Sequence, residues 1–127
     1  MTFILDTGAL IALERNDRAM WRRLKSSLLL QEVCITHGGI IGQSWRGRGS
    51  RATLLAMALD GLDVRPIDDD LGRRSGELLA RAKKSDVIDA ALVLLASDGD
   101  AIATSDPDDL KPLAEAAGFA LDLLPVT

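Results

Sequence analysis

The chain has 127 residues, a net charge of -4, 47% hydrophobic but only 3% aromatic residues, and a single cysteine. That length suits one domain (1–127) with one core, the composition excludes a disordered chain, and the lone Cys34 excludes an internal disulfide framework and fits a reducing, cytoplasmic setting. No apolar run approaches the roughly 18 residues that a membrane helix needs, and no charged-then-apolar leader opens the chain, so neither a span nor a secretion signal is expected.

The first strand is read in residues 1–6, MTFILD, an apolar run too short for a helix and without period-2 alternation, so both of its faces are covered. It ends in Asp6. A helix follows over 7–14, and Asp17 caps another through Met20, Trp21, Leu24 and Leu28, with Arg18, Arg22, Arg23 and Lys25 as its polar side. Residues 33–36 form a second, β-branched strand. His37-Gly38-Gly39 then leads into a short helix from Ile40 to Arg46, broken at Gly47 and Gly49. Arg46, Arg48 and Arg51 cluster at that break beside Trp45, a grouping that suits phosphate contact and base stacking and equally suits a solvated helix end.

A helix over 53–60 and a strand over 62–67 come next, and Asp68-Asp69-Asp70 caps the helix that runs to Arg81. Ser85 is the expected N-cap of an apolar helix that carries Asp86 and Asp89 one turn apart on the same face. After a strand over 101–104, Asp106 opens an acidic turn with Asp108 and Asp109. A helix over 107–117 stops at Gly118, and 119–124 is the last strand.

Five short apolar strands separated by helices imply an α/β fold, a mainly parallel five-stranded sheet flanked by helices. Ligands of such sheets collect beyond the carboxyl ends of the strands, where Asp6, Asp106 and the start of the Asp86 helix all fall. Crowded carboxylates repel one another, and a divalent cation is their usual neutraliser; capping is the alternative use of each single Asp. Residues 1–84 carry 14 Lys/Arg against 10 Asp/Glu, and residues 85–127 only 1 against 9. A cation site flanked by phosphate-binding side chains has that asymmetry, and so has a patchy surface. One His and one Cys cannot make a structural zinc site, and no Ser stands in a nucleophile elbow.

The segments ILDTGALIAL, SDVIDAALVLLA and DAIATSDPDDL, in this order and spacing, resemble the PIN-domain ribonucleases, and among them the VapC-type toxins of toxin-antitoxin pairs. The resemblance covers essentially the whole chain. It implies a three-layer PIN-like fold and a Mg²⁺- or Mn²⁺-dependent endoribonuclease with Asp6, Asp86 and Asp106 as metal ligands, directly or through water, and Asp89 and Asp109 as nearby carboxylates that support the metal or bind a second one. It also implies Thr7 and Thr104 as hydroxyl neighbours toward substrate, a small antitoxin partner, and self-association as a homodimer; Arg46 and Arg48 are read as RNA contacts because an all-acid crevice repels phosphate until flanking Arg compensates. Where the family places a Glu after the second strand, this chain has Gln43, which can orient water or the scissile phosphate and brings no charge. That departure leaves a second reading open, a non-cleaving PIN domain that binds RNA or protein.

Overall fold

Residues 1–126 are described by the structure, a computed structural model. In chain order they form β1 (Thr2–Leu5), α1 (Thr7–Glu14), α2 (Arg18–Leu29), β2 (Val33–His37), α3 (Gly38–Ser44), α4 (Gly49–Leu59) and β3 (Asp63–Arg65). α5 (Asp69–Ala82), α6 (Val87–Leu94), β4 (Ala101–Thr104), α7 (Pro107–Ala117) and β5 (Asp122–Pro125) complete the order. The strands make one sheet, β3-β2-β1-β4-β5, and every pairing is parallel. The expected α/β architecture is therefore present, with the sheet parallel throughout.

The apolar runs explain the layering. Phe3, Ile4, Leu5 and Ile102 are fully buried on successive positions of β1 and β4, so neither face of the sheet centre meets water. From β1 the chain winds to β2 and β3 on one side and from β4 to β5 on the other. With the right-handed crossovers that are the rule for parallel strands, this order puts the two sets of helices on opposite faces. In keeping with this, α1 packs on α2, α3 and α4, while α5, α6 and α7 pack on one another. Leu10, Leu13 and Leu24 belong to the core, as the helical spacing implies, whereas Trp21 is only half-buried at its margin. Among the described residues no helix is long and apolar enough to cross a membrane.

Several boundaries differ from the sequence reading, each for a local reason. The third strand covers only Asp63–Arg65, because its partner β2 ends at His37, the residue paired with Arg65. The last strand covers Asp122–Pro125, the stretch that pairs with Ala101–Thr104. α3 starts directly from the end of β2 and stops at Ser44, and Gly47 and Gly49, both with positive φ, turn the chain into α4. The N-cap of α6 is Asp86 in place of Ser85: the Asp86 carboxylate accepts the Ile88 and Asp89 N–H groups at 2.9 and 3.2 Å. The Asp triplet serves as read, with Asp68 accepting from Leu71 N and Asp69 and Asp70 pairing with Arg73 and Arg74.

Candidate active site

Strand order reverses between β1 and β4, so the crevice beyond their carboxyl ends is the natural place for a ligand. Asp6 follows β1 directly. Its N–H donates to Ala103 O at 3.1 Å, and its carboxylate caps α1 by accepting from Ala9 N at 3.0 Å. The residue is 7% exposed. Burial pushes its pKa up, and the Thr104 hydroxyl and the N–H groups of Ala9, Gly8 and Ser105 work in the other direction. The hydroxyl of Thr104, a fully buried residue, also accepts the Asp106 N–H at 3.0 Å. Thr104 thus sits between two acids far apart in sequence and faces no solvent; it steadies the crevice from within.

Asp106 stands at the head of α7, yet its side chain makes no capping bond. It is exposed, and its pKa is raised first by a hydrogen bond with the Asp109 carboxyl and then by burial and the charges of Asp109 and Asp108. From the other side, α6 contributes exposed Asp86 and half-buried Asp89. Asp89 is the most informative of the set. Its pKa is pushed up to about 6, first by burial and then by the charges of Asp86, Asp6, Asp109 and Asp106. Asp89 therefore lies within electrostatic reach of the other four acids, and three of the five line one hollow. A hollow of about 190 Å³ lies between Asp86, Asp89 and Asp109, with Lys84 and Ser85 at its rim.

The ion pairs among the described residues, Arg65 with Asp63, Arg73 with Asp69 and Arg74 with Asp70, leave these five carboxylates without a basic partner. An all-oxygen, uncompensated donor set suits a hard divalent cation. Among the described residues, however, no three His, Cys, Asp or Glu side chains are gathered closely enough to hold one ion. The acids frame the crevice without a ready-made coordination shell.

On the α3 side, Gln43 is exposed and its Oε1 accepts a hydrogen bond from the Thr7 hydroxyl, which ties α3 to the start of α1 beside Asp6. The Arg46 guanidinium donates to the carbonyls of Trp45, Gln43 and Gly42 at 2.9, 3.2 and 3.3 Å and so closes the carboxyl end of α3. Arg48 is exposed and makes no capping contact at the start of α4.

Sequence reading missed two supports of this site. His37 is fully buried: its Nδ1 accepts from Gly39 and Ile40 N and caps α3, while its Nε2–H donates to Ile88 O at 2.9 Å on α6. Histidine is not among the usual N-caps, so no local signal marked it. Gly8 lets α1 press against the turn after β4, since a Cβ there would lie 3.0 Å from Ser105 N and closer still to its side chain.

The sequence matches no protein-family profile and no curated protein. Among solved structures the chain superposes on VapBC2 from Rickettsia felis, in a structure bound to a DNA fragment from their promoter, with a TM-score of 0.68 over 97% of this chain and 98% of that one. The fold is PIN-like. Sequence identity over the superposition is 12%, so the likeness is one of fold, and the PIN-like crevice has to be judged on its own residues.

Proposed function

We propose that this protein is a metal-dependent endoribonuclease of the VapC type that hydrolyses RNA phosphodiester bonds. The observation that carries the reading is that Asp6 and Asp106 stand at the ends of the paired strands β1 and β4 with Thr104 between them, while Asp86, Asp89 and Asp109 line one hollow. Asp6, Asp86 and Asp106 are the proposed ligands of Mg²⁺ or Mn²⁺, with Asp89 and Asp109 beside them. When bound, such an ion supplies charge neutralisation at the phosphodiester and a more acidic water. Asp6 and Asp86 offer carboxylates held by their own helix caps, whereas Asp106 and Asp109 are exposed and make no capping bond. Gln43, its carbonyl oxygen taken by Thr7, keeps its amide N–H groups for a phosphate oxygen or a water.

The PIN-like fold and its likeness to VapBC2 support a small antitoxin as partner, and homodimerisation and a cytoplasmic setting belong to the same proposal. One observation favours the second reading, a PIN-like module that binds without cutting: Gln43 adds no charge to a crevice that has no preformed three-carboxylate shell.

Calorimetric titration with Mn²⁺ and an RNA cleavage assay on the same samples test the proposal. The wild type binds the ion and cuts; Asp6→Asn and Asp86→Asn stay folded and lose cleavage by about 100-fold or more, as when one transition-state charge stabiliser is removed. A folded wild type that binds no Mn²⁺ and cuts nothing, with Gln43→Glu creating activity from that silent start, establishes the second reading in its place.

A further inference from the structure

A crevice bordered by acids repels the phosphodiester it is to cut until positive charge stands beside it. A metal ion supplies part of that charge. Arg46 is unsuited to supply the rest, because its guanidinium is occupied by three carbonyls at its own helix end. Arg18, Arg22 and Lys25 line a groove between α2 and α4 that none of the five acids borders. Lys84 is placed differently. It lines the same hollow of about 190 Å³ as Asp86, Asp89 and Asp109, and among the described residues it is the one cation that does so.

The fold fixes the root of this side chain and leaves its head group without a partner. Lys83 turns the chain out of α5 in the left-handed conformation, with φ 56°, and the Lys84 N–H returns to Leu79 O at 3.1 Å. Two residues on, the Asp86 carboxylate caps α6. Only Lys84 and Ser85 stand between these anchors, so the backbone of Lys84 has little freedom at the lip of the hollow. The residue is exposed and enters no ion pair among the described residues, although three carboxylates line the same space. An unpartnered ammonium beside a cation site suits an anionic oxygen that arrives with the substrate.

We propose that Lys84 contacts a phosphate of the RNA at the acid hollow and so positions the strand beside the carboxylates. The inference rests on the endoribonuclease reading and adds to it a substrate-binding residue. A cation at the carboxyl end of α5 also answers that helix's dipole, and a lysine among acids also screens them. Those two roles act on the fold or on the metal, whereas a phosphate contact acts on RNA binding and carries its salt dependence.

Cleavage kinetics of a labelled single-stranded RNA of random sequence, with the full-length protein in Mn²⁺ and over a salt series, test this. Lys84→Gln raises KM by about fivefold or more and leaves kcat within about twofold of wild type. Its log–log slope of 1/KM against salt becomes shallower by about 0.7, the share of one phosphate contact on a single strand. Lys84→Arg keeps the charge and recovers most of the loss. Lys83→Asn removes the neighbouring cation at a left-handed position that Asn tolerates, and it leaves KM unchanged. Calorimetry finds Mn²⁺ bound by Lys84→Gln at least as tightly as by wild type, since a cation beside the ion has gone. If the wild type cuts and a Lys84→Gln variant with native circular dichroism keeps the same KM and slope, Lys84 is misassigned and the nuclease stands. A fall in Mn²⁺ affinity that accounts for the lost cleavage also overturns the proposal, because Lys84 then orders the acids and not the RNA. If the wild type binds RNA without cutting it, anisotropy of the same RNA replaces KM, and the affinity change and slope alone decide on Lys84. If the wild type neither binds nor cuts, the nuclease reading falls and takes Lys84 with it.

Discussion

Asp89 carries an electrostatic penalty from burial and from its acidic neighbours, and that penalty has a measurable sign. Its pKa lies near 6 in the native protein against 3.8 for an ordinary Asp, so between these values the native state holds a proton that the unfolded chain has lost. Stability therefore falls as pH rises from about 4 to about 6. Asp89→Asn removes the charge. In metal-free buffer it is expected to raise stability at pH 7 by on the order of 1 kcal/mol, after discounting for solvent screening, and to flatten that part of the pH profile. Urea unfolding at several pH values checks both; a variant no more stable than wild type at pH 7 means the four neighbouring acids do not strain Asp89. Its residue type and helical position were legible in the sequence. Its raised pKa was not, because the burial that chiefly causes it is tertiary and three of the four acids that add to it come from other elements.

At the scale of elements, His37 joins parts that are distant in sequence. It ends β2, caps α3 and reaches Ile88 O on α6, so it holds the helix of Gln43 against the helix of Asp86 and Asp89. Gly39 completes the joint, since a Cβ there would stand 2.5 Å from Ile88 Cδ1 and 3.0 Å from His37 Cε1. Burial lowers the His37 pKa, with the Ile88 carbonyl working against it. An unfolded chain takes up a proton below about 6.5 that the native imidazole resists, so this contribution is full above that pH and is lost as pH falls. The trend is opposite in sign to that of Asp89. His37→Ala is expected to cost about 2–3 kcal/mol at pH 7, from three lost hydrogen bonds and a cavity, and to abolish the acid-side loss. Denaturation midpoints for the two proteins at pH 5 and pH 8, as about the ends of the window, check it.

For the molecule as a whole, stability rests on the centre of the sheet. Ile102 on β4 is fully buried beside Ile4 of β1, with helices over both faces. Ile102→Ala is expected to cost about 2–5 kcal/mol by lost burial and cavity formation, whereas Val64→Ala on the exposed edge strand β3 is expected to cost less than about 1 kcal/mol. Equal costs at the two positions, read by urea unfolding, would show that the sheet centre is not the dominant core.

By itself the sequence determined the order and kind of the elements. Apolar runs marked β1, β2 and β4, helical periodicity marked α2 and α5, and Asp17, Asp68 and Gly118 marked helix ends where the structure has them. These signals act within a few residues and are written into local chemistry. Only the tertiary structure decided that β1 lies beside β4, with Leu5 paired to Ala103, and hence that Asp6 and Asp106 border one crevice with Thr104 between them. It also decided that Arg46 closes its own helix while Arg18, Arg22 and Lys25 line an open groove. Such facts depend on contacts between residues far apart in the chain, and the packing of whole elements, which no local pattern encodes, creates them.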